Sequence, residues 1–152
     1  VPALTWRAVC AVASRGQVSP FGALIMTALQ TAFAAIDAAN AADPSLENGQ
    51  PAALLYGQRM TDELARLFPQ ASEPLQIAAR GQHIERWRLP RKDYADGKAG
   101  YLEWRREQAR RHAARVACIM ADAGYGDQPI AAAEKMSPGA LNLPVESTSG
   151  AM

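Results

Sequence analysis

Residues 100–124 read GYLEWRREQARRHAARVACIMADAG, a stretch with the hydrophobic period of an α-helix. One face of this helix collects residues that recur at intervals of three and four, namely Arg105, Ala109, His112, Val116 and Ile119. Gly124 is the residue type that commonly follows the last turn of a helix. The stretch therefore predicts a helix from about Gly100 to Ala123 with His112 on its inward face.

Three further helices are predicted upstream of this one. The first runs from about Ala28 to Ala42, and Thr27 with Gln30 has the spacing of a capping box at its start. The second runs from about Pro51 to Phe68, and the third from Ser72 to just before Pro90. No segment alternates with period two for long enough to indicate a sheet. We therefore expect an all-α, compact domain of about four main helices.

The two ends of the chain differ in composition from this middle part. Residues 1–25 begin with Val1 and mix Arg, Gly and Pro with apolar residues, which is typical of a leader or a non-native extension. Residues 26–130 form the predicted helical domain. Residues 131–152 are increasingly rich in Pro, Gly and Ser, so they are interpreted as a flexible tail.

The overall composition is that of a globular protein, with 49% hydrophobic residues, 20% charged residues and a net charge of +1. The chain contains no apolar run as long as a membrane span, so we expect no membrane partner. Cys10 and Cys118 lie far apart and match no metal or redox motif, which favours free thiols and a cytoplasmic location. Charge is uneven, since Arg80 to Arg115 holds eleven Lys/Arg against five Asp/Glu. This region is either an anion-binding surface or the solvated face of amphipathic helices.

The two histidines are the first candidate site. His83 follows Leu75 and Ala79 at steps of four and is therefore expected on the buried face of the third helix, as His112 is on the fourth. Two facing imidazoles are a minimal metal or proton-transfer site, and the candidate metals are Mn, Fe and Zn. The alternative is that each is a core-edge histidine held by one hydrogen bond.

A second candidate site is a group of forked donors, an amide and an aromatic ring around His83. Such groups suit a phosphate or a nucleotide base. The candidate phosphate- or nucleotide-binding residues are Arg80, Gln82, Arg86, Trp87 and Arg105.

The middle of the chain, about residues 29–126, resembles the family named domain of unknown function 4202. The resemblance is carried by Leu54-Leu55-Tyr56-Gly57, Ala78-Ala79-Arg80, Gln82-His83-Ile84, Arg86-Trp87, Gly100-Tyr101-Leu102, Trp104-Arg105, His112-Ala113 and Gly124-Tyr125. It implies membership of a family without an established activity. If the family fold continues with more C-terminal helices, this chain is C-terminally incomplete and self-associates through an uncovered apolar face.

A weaker resemblance links Leu75 to Ile84 with the helix that ends in the His-Asp pair of HD-domain phosphohydrolases. It implies an all-helical fold and metal-assisted hydrolysis of a phosphate ester, with His83 and His112 as metal ligands. The pattern departs at Ile84, which stands where the family has its aspartate. The carboxylates offered as substitutes are Asp62, Glu63 and Glu85.

Three functions remain open at this stage, and whether the protein is an enzyme is undecided. The first is a degenerate HD-like, metal-dependent phosphohydrolase that acts on a phosphate ester or nucleotide. The second is a non-catalytic module that binds RNA or a phosphate-bearing small molecule. The third is a structural interaction domain whose histidines are packing residues.

Overall fold

A computed structural model describes residues 26–137, and the predicted leader at 1–25 and the part of the predicted tail beyond residue 137 lie outside them. The described part contains five α-helices: α1 (Ala28–Asn40), α2 (Ala52–Leu67), α3 (Glu73–Arg80), α4 (Gly97–Asp122) and α5 (Asp127–Met136). A small antiparallel pair, β1 (Leu46–Glu47) and β2 (Gln50–Pro51), joins α1 to α2. Two short 3₁₀ turns, Arg86–Arg88 and Arg91–Asp93, lie between α3 and α4. The prediction of a compact, mainly helical domain is confirmed.

Side-chain hydrogen bonds hold the start of α1 and the connection from α1 to α2. The hydroxyl of Thr27 accepts a hydrogen bond from the Gln30 amide, and the Thr27 amide donates to Gln30 Oε1, so the predicted capping box is present. The buried carboxylate of Asp43 accepts from the amides of Ser45 and Ala53, each at 2.9 Å. Asp43 thereby ties the end of α1 to the start of α2.

The third helix is much shorter than predicted. It ends at Arg80, and the next residue, Gly81, packs so closely on α4 that an added Cβ would lie 2.5 Å from Val116 Cγ2. The chain then turns, and Glu85 adopts a left-handed conformation with φ of 52°. His83 therefore lies in a loop, and the prediction that it extends a helical stripe with Leu75 and Ala79 is wrong.

Helix α4 agrees closely with the prediction, and Gly124 follows it with φ of +98°. Helix α5 is a correction. Residues 131–152 were interpreted as a tail, yet α5 extends to Met136, and Pro129 lies in its first turn, where a missing amide proton costs no helical hydrogen bond. Residues 131–136 therefore belong to the helical domain and not to a tail.

The hydrophobic core runs between α1, α3, α4 and α5. Its largest fully buried members are Ile36, Ile77, Ile84, Val116, Met120 and Ile130. Helix α5 contributes Ile130 and Ala133, which are 1% and 0% exposed, and it packs on both α3 and α4. The apolar face that four helices would leave open beside α3 and α4 is thus covered by α5.

Two remaining features bear on the expected cellular context. Cys118 takes part in a disulfide, so the expectation that it is a free thiol is wrong. The argument for a reducing compartment therefore loses its basis. Within residues 26–137, no helix combines the length and the apolar character needed to cross a bilayer.

Candidate functional site

The loop of residues 81–89 carries two of the predicted site residues, His83 and Arg86. Its turn is held at Glu85, whose backbone amide donates to Oδ1 of the buried Asn40 at 3.0 Å. The Glu85 carboxylate accepts from Arg115 at 3.2 Å and lies 3.3 Å from an Arg88 nitrogen. Backbone and side chain of Glu85 are therefore both anchored, which fixes the 81–89 loop against α1 and α4.

Helix α4 holds the far end of the same loop. The indole nitrogen of Trp104 donates to the carbonyl of Leu89 at 2.9 Å. The side-chain amide of Gln108 donates to the carbonyls of Arg86 and Leu89 at 2.9 and 3.1 Å. Trp104, Gln108 and His112 recur every four residues, so one face of α4 both supports the loop and contributes a histidine.

A cavity of about 240 Å³ opens between the 81–89 loop, α2 and α4, and we call it the histidine cavity. Its lining residues are Tyr56, Gln82, His83, Arg86, Trp104, Arg105, Gln108, Ala109 and His112. Both histidines of the chain are among them, and neither Asp nor Glu is. The cavity therefore combines positive charge with neutral polar groups.

His83 is held on two sides. Its ring stacks on Tyr56 with centroids 3.7 Å apart and planes 11° from parallel, while the Tyr56 hydroxyl donates to Gln82 Oε1. Nη1 of Arg86 lies 3.0 Å from His83 Nε2. Because a guanidinium only donates, Nε2 must accept, and the ring proton then resides on Nδ1. Burial, followed by the charge of Arg86, lowers the pKa of His83 from 6.5 to about 4, so the ring is neutral at pH 7.

His112 lies deeper in the wall, with 6% of its surface exposed. It is hydrogen-bonded to the backbone of Gln82, while its Nε2 is buried and has no hydrogen-bond partner among residues 26–137. Burial lowers its pKa from 6.5 to about 4, with smaller contributions from His83 and Arg86. A neutral ring that donates through Nδ1 to the Gln82 carbonyl presents an unused lone pair on Nε2.

The arginines that line the cavity differ from those on the outer surface. Outside it, Arg110 and Arg111 pair with Glu107. In the cavity wall, the guanidinium of Arg86 lies 4.9 Å from the Trp104 ring centroid. The guanidinium of the exposed Arg105 lies 5.8 Å from the ring centroid of Tyr101, which does not line the cavity. In the described part of the chain, neither Arg86 nor Arg105 forms an ion pair with a carboxylate.

Five of the seven predicted site residues meet at the histidine cavity: Gln82, His83, Arg86, Arg105 and His112. Arg80 does not line it. Its guanidinium forms a two-pronged pair with Asp37 at 2.6 and 2.8 Å, donates to Thr61 at 3.1 Å and lies over the Phe33 ring. Arg80 therefore joins α3 to α1 and α2 as a structural residue. Trp87, in the first 3₁₀ turn, does not line the cavity either.

Sequence reasoning missed Gln108 as a lining residue and assigned Trp104 to packing alone. Both residues precede His112 at steps of four and could have been assigned to its face of the helix for that reason. The predicted inward face instead ran through Arg105 and Ala109. Tyr56 was considered only as an inward residue of the second helix and not as the stacking partner of His83.

The two histidine rings are 6.4 Å apart between centroids and inclined by 45°. This separation is compatible with a shared ligand, but a metal usually needs further donors. Within the described residues, no group of three or more His, Cys, Asp or Glu side chains is arranged to hold a metal ion. Glu85, one proposed substitute carboxylate, is committed to Arg88 and Arg115.

Comparison with known proteins gives one positive result. A family model described as Domain of unknown function (DUF4202) matches residues 30–138, which include every lining residue of the histidine cavity. Neither a curated protein nor a solved structure matches the chain. The resemblance to HD-domain phosphohydrolases is not among these findings and stays a prediction. Because the family model covers most of the chain, the protein belongs to the family of domain of unknown function DUF4202.

Proposed function

We propose that the histidine cavity binds the phosphate group of a small molecule, with Arg86 and Arg105 as its charge partners. The observation that carries this proposal is a cavity lined by two arginines and no carboxylate. Guanidinium groups bind phosphate through paired, charge-assisted hydrogen bonds. Arg86 is half-buried and has no carboxylate partner in the described part of the chain, so it carries a charge that an anion would neutralise.

The two histidines are neutral and leave the attraction of an anion to the arginines. With both pKa values near 4, neither ring adds positive charge at pH 7, so the net attraction comes from the two arginines. The nearby carboxylate of Glu85 does not compete with a bound anion for these arginines, because it is already paired with Arg88 and Arg115. The cavity is therefore charged in a way that selects anions without a metal.

A small molecule is favoured over RNA. An RNA surface needs a row of available cations, whereas the outer arginines of α4 are largely paired within the protein. Arg86 and Arg105, which have no carboxylate partner in the described part of the chain, instead line one cavity of about 240 Å³. RNA binding remains the alternative, and it would be recognised by a steep loss of affinity with salt.

Metal-dependent hydrolysis of a phosphate ester is the second candidate. One observation favours it, because the buried and unpartnered Nε2 of His112 is the kind of lone pair that Mn²⁺, Fe²⁺ or Zn²⁺ takes as a ligand. Against it stands Arg86, which occupies Nε2 of His83 and places a positive charge beside any metal. The lining also supplies no carboxylate to complete the ligand set.

The proposal is tested by calorimetric titration of inorganic phosphate into the wild type, Arg86→Met and Arg110→Met. Arg110 is the matched control, since it lies on the outer face of α4 and pairs with Glu107. Loss of a charge-assisted hydrogen bond is worth about 1.5–3 kcal/mol, so we expect Arg86→Met to bind roughly ten- to a hundredfold more weakly. Arg110→Met should bind like the wild type. Absence of saturable binding in the wild type, or equal weakening in both variants, contradicts the proposal.

The second candidate is tested separately by titration of Mn²⁺, Fe²⁺ and Zn²⁺ into the wild type, His83→Ala and His112→Ala. Stoichiometric binding that is lost in both variants would favour the hydrolase. Binding that survives in either variant, or absence of binding in the wild type, would rule out a metal shared by the two rings.

A further inference from the structure

The unused lone pair of His112 restricts what the ligand of the histidine cavity must contain. The contact with the Gln82 backbone fixes which ring nitrogen carries the proton, so Nε2 can only accept. A buried acceptor without a donor is rare in folded proteins, and such a group calls for an explanation. A donor supplied by the ligand would explain why Nε2 has no partner among residues 26–137.

Several donors of the cavity lining are already engaged with other partners. The Gln108 amide nitrogen already donates to two carbonyls, the Trp104 nitrogen donates to Leu89, and Nη1 of Arg86 donates to His83. Gln108 Oε1 also accepts no hydrogen bond from another described residue. The cavity wall is therefore rich in acceptors at the end where His112 and Gln108 lie.

The dianion of a phosphate monoester cannot satisfy these acceptors because its phosphate oxygens carry no proton to donate. The ligand must consequently carry a donor in addition to its anionic group. A hydroxyl is the simplest donor that is neutral and small, and an imidazole nitrogen accepts readily from it.

Size and ring contacts favour a ligand smaller than a nucleotide in this cavity. A volume of about 240 Å³ corresponds to roughly eight water molecules at about 30 Å³ each, which suits a three-carbon phosphate ester. The flat surfaces are also in use, since one face of Tyr56 is covered by His83 and the Trp104 ring lies under Arg86. A nucleobase would find no free stacking surface among these rings.

We infer that the ligand is a small phosphorylated alcohol or polyol whose hydroxyl donates to Nε2 of His112 while Arg86 and Arg105 hold its phosphate. This inference rests on the proposed function and adds the class of ligand. Nε2 is buried in the free protein, so a local rearrangement of the cavity wall has to accompany entry of the hydroxyl. His112 thus selects for a hydroxyl that phosphate binding alone would not require.

The test compares glycerol 3-phosphate with n-propyl phosphate, which has the same chain length but no hydroxyl, by calorimetry on the full chain at pH 7.5. In the wild type we expect glycerol 3-phosphate to bind about tenfold more tightly, the effect of one hydrogen bond. In His112→Phe, which keeps a ring but removes the acceptor, the ratio should fall to about one. The wild-type comparison decides the matter even if His112→Phe fails to fold.

Each other outcome overturns part of the account in a recognisable way. Equal binding of the two esters, or a ratio that survives in His112→Phe, overturns the inference and leaves phosphate binding intact. Failure of inorganic phosphate itself to bind overturns the proposed function and the inference together. Net proton uptake on binding, measured in two buffers of different ionisation enthalpy, would mean that His112 becomes charged and pairs with phosphate, which also overturns the hydroxyl assignment. Tighter binding of glycerate than of glycerol 3-phosphate would show that the cavity prefers a carboxylate, which overturns the assignment of a phosphate.

Discussion

Glu85 and Asn48 are the two non-glycine residues with positive φ among residues 26–137, and Glu85 adjoins the histidine cavity. A left-handed conformation costs an ordinary side chain about 1–2 kcal/mol, so it persists only where neighbours hold it. Asn40 supplies that hold by accepting from the Glu85 amide while it is 1% exposed. The position of His83 and Arg86 thus depends on a residue of α1 that never touches the cavity.

Replacing Asn40 with Ala should therefore destabilise the protein. The change leaves the Glu85 amide without its partner, and the expected loss in free energy of unfolding is about 1–3 kcal/mol. Urea unfolding followed by circular dichroism measures it. The control is Thr31→Ala, which removes an exposed side-chain hydrogen bond to Thr27 and should change stability by less than about 0.5 kcal/mol. Equal stability of Asn40→Ala and the wild type would show that the loop is held by other contacts.

At the scale of elements, the close approach of α2 and α3 depends on Gly57. A Cβ at this position would lie 2.8 Å from the backbone oxygen of Arg80. Thr61, one turn later, donates to the Gly57 carbonyl and accepts from Arg80. Glycine is therefore required because two backbones meet, and the same contact brings Tyr56 of α2 next to His83.

Gly57→Ala should push the two helices apart. Overpacking costs about 1–3 kcal/mol, and the upper part of this range applies because the clash is with backbone. The better helix propensity of alanine returns about 1 kcal/mol, so we expect a net loss near 1–2 kcal/mol. Because Tyr56 moves with α2, phosphate affinity should fall as well. Asp62→Ala, on the exposed face of the same helix, is the control and should leave both quantities near wild type. An undiminished unfolding free energy in Gly57→Ala would contradict the close packing.

The elements also show where sequence patterns inform and where they do not. Helix α4 was predicted well because its periodicity, length and terminal Gly124 agree. The end of α3 was missed because the turn that follows it is held by a long-range hydrogen bond from the Glu85 amide to Asn40, which no local pattern encodes. Helix α5 was missed because residues 131–152 were interpreted as a tail from their composition, although Pro129 is tolerated in a first turn.

The sequence predicted which residue types form the candidate site, but long-range contacts determine which of those residues line it. His83 was assigned to a buried helical stripe, yet it reaches the cavity from a loop held by Asn40 and Glu85. Arg80 looked equivalent to Arg86 by type and spacing, but the long-range partner Asp37 takes it away from the cavity. Pairings between residues more than forty positions apart in sequence decided both outcomes.

At the scale of the whole molecule, folding buries two imidazoles and keeps them neutral. Both pKa values fall to about 4 in the folded protein, against about 6.5 in an unfolded chain. Between these values the unfolded chain binds more protons than the folded protein. The free energy of unfolding must then rise with pH across this range, and its full value is present above about pH 6.5.

We therefore expect stability to fall as the pH drops from 7 to 5, a window above that in which most carboxylates become protonated. Urea midpoints at half-unit steps of pH measure the trend, and His112→Phe should show a shallower one because one of the two titrating groups is gone. A midpoint that stays constant from pH 7 to 5 would mean that the histidines are accessible and ordinary.

The proposal that the histidine cavity binds phosphate is tested most directly by heteronuclear NMR of the wild type during titration with inorganic phosphate at pH 7. We expect saturable shifts at the Nε signals of Arg86 and Arg105 and at the side-chain amides of Gln82 and Gln108, all of which line the cavity. The signals of Arg110 and Arg111, which pair with Glu107 outside it, should stay in place. Shifts confined to Arg110 and Arg111, or no saturable shift at Arg86, would contradict an anion site in the cavity.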